Sequence, residues 1–239
     1  MKKKVVFCVP TIKKPYQVCL DSLKASIPLI IDAGWEEGMV SEIGNPYISA
    51  ARSYMLRKAL DVKADMIVFI DHDLSWKPQD LLRLIETDGD VVAGLYRFKE
   101  TEEHYMGVLE DGPNGRQILR SDGCIKATRV PAGFLKITKE AVDRFMGSYP
   151  DLVYGPHYNP SIDLFNHGSH KRQWWGEDYA FSRNWLDCGG EIWVVPNLDL
   201  DHHHIYTNNG VEEHAVYSGN YHEFLLRQPG GSNDPNATR

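Results

Sequence analysis

The sequence predicts an α/β protein: a mostly parallel central sheet flanked by helices, with a small antiparallel part. Three observations carry this. Short apolar runs alternate with stretches of helical spacing up to about residue 95, a βαβ rhythm that demands parallel pairing with helices on both faces. Residues 104–130 then change texture, cut by Gly112-Pro113-Asn114-Gly115 and Asp122-Gly123, which is hairpin chemistry. A chain of 239 residues with 42% hydrophobic and 25% charged residues can also bury a real core.

Taken in order, Val5-Val6-Phe7-Cys8-Val9 is a buried strand ended by Pro10-Thr11. Residues 15–33 place Val18, Leu20, Leu23, Ile27 and Ile30 at helical spacing, with Pro28 expected to kink or break the helix. A short strand falls at 39–43. Asn45-Pro46 has the form of an N-cap followed by proline at the first helical position, opening a helix that runs to about Leu60. Met66-Ile67-Val68-Phe69-Ile70 is the next buried strand, Lys77-Pro78 starts a short helix, and Val91-Val92-Ala93-Gly94-Leu95 is a strand again. Residues 134–137 form a strand, and Thr138 can cap a helix over 139–146. Residues 149–175 are rich in Tyr, Pro, His, Gly and Trp and read as a long functional loop. A helix over 177–188 closes on Gly189-Gly190, and 192–196 is the last strand. Nothing divides the chain, so 1–228 is expected to be one domain. The tail 229–239 has the composition of a disordered segment.

The bulk numbers exclude some functions. A net charge of -7 argues against a nucleic-acid partner. It also means that a phosphorylated ligand would need a metal or local cations. No apolar run reaches the ~20 residues of a transmembrane segment, and the apolar stretch after Met1-Lys2-Lys3-Lys4 is too short for a signal peptide. A cytoplasmic protein is expected. Cys8, Cys19, Cys124 and Cys188 are scattered, as free thiols in a reducing compartment would be.

Three constellations carry chemistry. Asp71-His72-Asp73 follows an unbroken apolar run, and ligands of open α/β sheets bind beyond the carboxyl ends of strands. Two carboxylates one residue apart suit a hard divalent cation, which can hold a diphosphate. A solvated acid pair ahead of the Pro78 helix is the bland alternative. In Asp199-Leu200-Asp201-His202-His203-His204, His202 continues the register of Leu198 and Leu200 and can add a nitrogen ligand, favouring Mn²⁺ modestly over Mg²⁺. His203, His204 and a separate three-histidine zinc site stay open. In Gln173-Trp174-Trp175-Gly176-Glu177-Asp178, two acids start a helix, whose N-terminus favours the ionised carboxylate of Glu177 or Asp178. The tryptophans can pack on sugar rings, or be core. Gly133, ahead of a strand, permits close approach of a ligand to backbone.

Together the "VPT" strand end, "NPYISAARSYMLRKAL", "MIVFIDHDLSW", "PAGFLKITKEAV", "WWGEDYAFS" and a late strand ending in His resemble, in this order, GT-A fold glycosyltransferases. The likeness spans residues 4–206 and looks strongest to the small soluble members, including those of large algal (chlorella-type) viruses. The resemblance implies that Pro10 and Thr11 line the nucleotide base pocket and that Arg52 faces the nucleotide. It implies that Asp71 contacts the ribose, or the metal through water, and that Asp73 ligates the metal with His202. Asp178 would be the catalytic base, with Glu177 holding the acceptor.

The activity so implied is transfer of a sugar from a nucleoside-diphosphate sugar, UDP being commonest in the class, to a hydroxyl of a glycan or glycoprotein acceptor. Mn²⁺ or Mg²⁺ would be the cofactor, and single displacement with inversion the expected course, retention being the alternative. The rivals are a nucleotidyltransferase, a nucleotide-sugar hydrolase and a non-catalytic sugar-binding module. The loop after the first strand, Val9-Pro10-Thr11-Ile12-Lys13-Lys14, lacks the glycine of a nucleotidyltransferase phosphate loop.

Overall fold

The computed structural model describes residues 2–113 and 115–228; the tail expected to be disordered lies outside them. The elements run β1 (Lys4–Thr11), α1 (Gln17–Asp32), β2 (Glu36–Ile43), α2 (Ile48–Asp61), β3 (Met66–Ile70), β4 (Leu74–Trp76) and α3 (Pro78–Glu86). There follow β5 (Val91–Gly94), β6 (Val108–Leu109), β7 (Ile125–Arg129), β8 (Phe134–Thr138) and α4 (Lys139–Ser148). The second half holds β9 (Val153–Tyr154), β10 (Ser161–Ile162), β11 (Gly168–His170), β12 (Gln173–Trp175), α5 (Glu177–Asp187), β13 (Ile192–Val195), β14 (Asp199–Asn208), β15 (Val211–Asn220) and α6 (Tyr221–Arg227).

The central sheet has 8 strands in the order β2-β1-β3-β8-β5-β13-β7-β6. β8 and β7 run against the others, and the rest share one direction. This is the mixed α/β architecture expected from the sequence. Alternation along β1 shows why the sheet is covered twice: Val5, Phe7 and Val9 pack with Cys19, Leu23 and Leu81 from α1 and α3. Val6 and Cys8 pack with Met55, Phe145 and Phe181 from α2, α4 and α5. Helices that return between parallel strands place their N-termini at the carboxyl edge of the sheet. The starts of α2 and α5 therefore lie beside the ends of β1 and β3.

Several local expectations hold and others do not. Thr138 does cap α4, its Oγ1 accepting from the Ala141 amide at 3.2 Å. Asn45 does not cap α2. Its Oδ1 accepts from the Tyr47 amide at 3.0 Å, an Asx turn that delays the helix to Ile48 and leaves Pro46 outside it. Helix α1 runs through Pro28 without a break. Pro28 and Lys24, whose carbonyl loses its donor, both lie on the exposed side, where water can serve instead. The expected long loop at 149–175 contains a 3-10 turn and two small hairpins.

β13 is not the last strand. β14 and β15 pair over ten residues each across a two-residue turn at Asn209-Gly210, both with positive φ (49° and 80°). That is the Asn-Gly hairpin signature, and it adds β4 as a third strand, pairing His202 with Leu74. No helix among the described residues is long and apolar enough to cross a membrane.

Trp185 fixes the far end of α5. It is 1% exposed, and its Nε1 donates to the Glu191 carbonyl at 2.9 Å, tying the helix to the entry of β13. Trp185→Ala is expected to cost about 3–5 kcal/mol in chemical denaturation, the range for removing a large buried aromatic.

Candidate active site

The carboxyl edge of the sheet opens into a cleft of about 380 Å³. Pro10 and Thr11 reach it from the end of β1, Arg52 from α2, and Asp71 and Asp73 from the turn after β3. Glu177 reaches it from the start of α5 and His202 from β14. Clefts of about 540 and 550 Å³ lie elsewhere, but neither is bordered by any of these residues. Five elements distant in sequence thus bring seven predicted residues to one depression. Thr11 Oγ1 is buried there and has no hydrogen-bond partner among the described residues.

Asp71 is held from three directions. Its amide donates to the Gly133 carbonyl at 2.8 Å, its Oδ1 accepts from Arg52 at 3.0 Å, and its Oδ2 accepts from the Tyr96 hydroxyl at 2.9 Å. Gly133 is required by this arrangement. A Cβ there would stand 2.2 Å from the Tyr96 hydroxyl oxygen and 2.3 Å from Asp71 Oδ2. The close approach that glycine permits is therefore made by Asp71 and Tyr96. Arg52, 3% exposed, lies against the rings of Phe69 and Phe165, which pack edge to face on each other. It also donates to the Ala132 carbonyl at 3.3 Å and stands 3.8 Å from Glu177. Burial alone would lower its pKa, but the charges of Asp71 and Glu177 outweigh that and raise it. Arg52 borders the cleft, yet its guanidinium serves Asp71 first.

Asp73 is placed differently. His202 Nε2 stands 3.5 Å from its Oδ2, and Lys99 Nζ is bonded to the same oxygen. Burial works to raise the Asp73 carboxyl, while hydrogen bonds from His202 and Lys99 hold it well below the usual range. The register that favoured His202 is the one observed. His203 is tied on both ring nitrogens, to His214 and to Ser75, at 2.8 Å each, and His204 lies against Tyr206.

His202 Nδ1 lies 2.8 Å from the Arg97 carbonyl. A carbonyl only accepts, so Nδ1 carries the proton. Nε2 then faces the carboxylate oxygen: a protonated ring donates to Asp73 there, and a neutral ring offers its lone pair to a cation held between the two. Asp73 and His202 thus fit a divalent metal as a two-residue site. Among the described residues no group of three or more His, Cys, Asp or Glu side chains is arranged to hold one. The rest of the shell would come from water and a ligand's phosphates, as is usual for such ions. Asp71 borders the same cleft, and each of its oxygens accepts one hydrogen bond, from Arg52 and from Tyr96, and keeps a second lone pair. The three histidines form no zinc site, because neighbours on a strand point to opposite faces.

Glu177 and Asp178 open α5, and Asp178 Oδ1 accepts from the Tyr179 amide at 2.7 Å. Burial is the largest influence on Asp178, with Glu177 next, and together they push its pKa up to about 6 against the Tyr179 amide and Arg52. The expectation from the helix start alone omits burial, which raises the Asp178 carboxyl yet leaves it mostly ionised at pH 7. Glu177 borders the cleft, and Asp178 does not. Of the two tryptophans, Trp174 is 73% exposed, while the guanidinium groups of Arg129 and Arg183 both pack on the ring of Trp175.

Two residues of the site were not singled out from the sequence. Tyr96 extends an apolar strand and reads as core, which it also is. Lys99 sits in a polar segment without a motif, and nothing in its neighbours marks it.

No known protein family matches the chain, and no curated protein is similar in sequence. Solved structures similar to it include A197 from STIV, with TM-score 0.49, 16% identity and 86% of each chain covered. The catalytic domain of Drosophila β1,4-galactosyltransferase 7 in complex with xylobiose has TM-score 0.47 and 14% identity, over 80% of this chain and 64% of that one. GalNAc-T7 with UDP, GalNAc and Mn²⁺ has TM-score 0.47 and 13% identity, over 88% of this chain and 45% of that one. The chain therefore spans less than two thirds of either transferase chain.

The raised Asp178 pKa has a consequence for stability. An acid whose pKa rises from 3.8 to about 6 on folding penalises the fold wherever it is ionised. Asp178→Asn keeps the acceptor for the Tyr179 amide and removes that charge. Thermal melts at pH 7 are expected to show a gain of about 1–3 kcal/mol, at 1.36 kcal/mol per pKa unit. The gain should shrink as pH falls through about 6 and vanish below 3.8.

Proposed function

We propose that the protein is a divalent-metal-dependent glycosyltransferase, taking a sugar from a nucleoside-diphosphate donor, UDP-linked first among the candidates, to a hydroxyl of a glycan acceptor. The observation that carries this reading is the facing pair of Asp73 Oδ2 and His202 Nε2, 3.5 Å apart, at the carboxyl edge of the sheet. Mn²⁺ or Mg²⁺, when bound, supplies electrophilic stabilisation of the charge on the departing diphosphate. Asp73 and His202 would hold that cation, with the Arg97 carbonyl fixing the ring tautomer. Pro10 and the unpartnered Thr11 hydroxyl would receive the nucleoside. Arg52 and Tyr96 keep Asp71 oriented toward the same space.

In this reading Glu177, on the cleft, positions the acceptor, and Asp178 takes the proton from its attacking hydroxyl. A pKa of about 6 suits a base at neutral pH, because the group is mostly ionised yet still basic enough to accept a proton. Attack opposite the leaving group then inverts the anomeric centre. Single displacement is supported by the one acidic pair at the start of α5.

Calorimetric titration with UDP, GDP, dTDP, ADP and CDP, with and without Mn²⁺, tests the donor side. One nucleotide is expected to bind only with the metal, and Asp73→Ala is expected to abolish that binding. Binding indifferent to both metal and Asp73 would sink the reading, and acceptor-free release of sugar would favour a hydrolase.

The base assignment is tested by rate. With the donor so found and an acceptor from a glycan panel, kcat/KM is expected to fall as pH drops through about 6, the value for Asp178. Asp178→Asn should lose about 10²–10⁴ in rate. If Asp178→Asn stays active while Glu177→Gln does not, the roles are reversed.

A further inference from the structure

The loop at 97–104 meets the Asp73–His202 pair twice. The Arg97 carbonyl accepts from His202 Nδ1 at 2.8 Å, and two residues later Lys99 Nζ donates to Asp73 Oδ2. The loop is built to present both groups. Arg97 NH2 donates to the carbonyls of Glu100, Thr101 and Glu102 at 3.3–3.4 Å, and the Phe98 amide donates to the His104 carbonyl at 3.0 Å. The turn thus closes on its own arginine, with Lys99 inside it.

The ion pair differs from the surface pairs of this chain. The side chains of Lys99 and Asp73 are 27% and 11% exposed, against 69% and 41% for Lys77 and Asp199. The oxygen that Lys99 takes is also the one that His202 Nε2 faces. An ammonium and a divalent cation want the same lone pairs there. They cannot share them, since two cations a few ångströms apart in a shielded site repel strongly. Lysine is suited to leave, being a point charge on a four-carbon stem that can swing away by rotamer changes alone.

We propose that Lys99 is a tethered cation that occupies Asp73 while no metal is bound, and that a divalent cation displaces it. This rests on the metal-dependent reading above. The displaced ammonium needs a new anion, and the diphosphate of the donor supplies one beside the same carboxylate. Metal and nucleotide therefore bind cooperatively: each favours the state in which Lys99 has left Asp73. Metal alone binds weakly because it must break the ion pair without compensation.

The test is Mn²⁺ binding, followed by the electron paramagnetic resonance of the free ion, with and without UDP, or whichever diphosphate the panel identifies. Wild type, Lys99→Met and Lys99→Arg are compared, and melts in chelator confirm that each is folded. Lys99→Met is expected to bind Mn²⁺ alone about tenfold more tightly, the scale of losing one charged hydrogen bond, and to lose most of the enhancement by nucleotide. Its melting temperature should fall in chelator and recover with Mn²⁺ more than that of wild type. Lys99→Arg should keep weak binding of metal alone. An unchanged or weakened Mn²⁺ affinity in Lys99→Met overturns the inference. If wild type still binds nucleotide only with Mn²⁺, the proposed function survives that result. If wild type shows no metal-dependent nucleotide binding at all, both are overturned.

Discussion

The ion pair between the buried Arg52 and the half-buried Asp71 is the constraint on which the rest of the site depends. A guanidinium 3% exposed and packed against two phenylalanine rings is costly to bury unless its charge is met. Asp71 meets it at 3.0 Å, and Glu177 adds a second charge at 3.8 Å. One side chain of α2 thereby ties the turn after β3 to the start of α5. Gly133 and Tyr96 complete the enclosure around Asp71, so the turn has little freedom. Asp73, two residues on, inherits its position from that anchoring and from β4, whose pairing with β14 brings His202 alongside.

The two aspartates of the motif thus divide their work. Both oxygens and the amide of Asp71 are engaged by the chain itself. The side-chain partners of Asp73 are a lysine on a loop and a histidine whose other nitrogen is engaged, and both leave room for exchange. A motif that looks symmetric in sequence is asymmetric in function: one carboxylate organises, and the other is available.

What could be read from the sequence follows from the range of the forces involved. Strands such as Met66–Ile70 and the carboxylates at their ends are legible because burial and alternation are local and periodic. His202 is legible by register, since two-residue periodicity survives any hairpin partner. Lys99 is not, because its role depends on a loop whose shape is set by Arg97 folding back on three carbonyls. The pKa of Asp178 is not legible either. The helix start shows in the sequence, but the burial that raises the carboxyl comes from packing. The β14–β15 hairpin did carry a local signal in Asn209-Gly210. It was masked because Val211–Asn220 is nowhere buried and partly polar, and so lacks the apolar run of a core strand.

Charge explains why the site takes the form it has. Asp71, Asp73, Glu177 and Asp178 bring four carboxylates to this edge, against Arg52 and Lys99. That imbalance appears in Asp178, which Glu177 and, more weakly, Asp71 help to raise. A nucleoside diphosphate would add further negative charge to a chain already at -7. Lys99 cannot neutralise both Asp73 and a diphosphate. On the proposed function, an added divalent cation would satisfy Asp73 and the phosphates together and let Lys99 serve the ligand. On the proposed function, the acidity of the cleft would then act as a selection device, excluding an anionic donor that arrives without its metal.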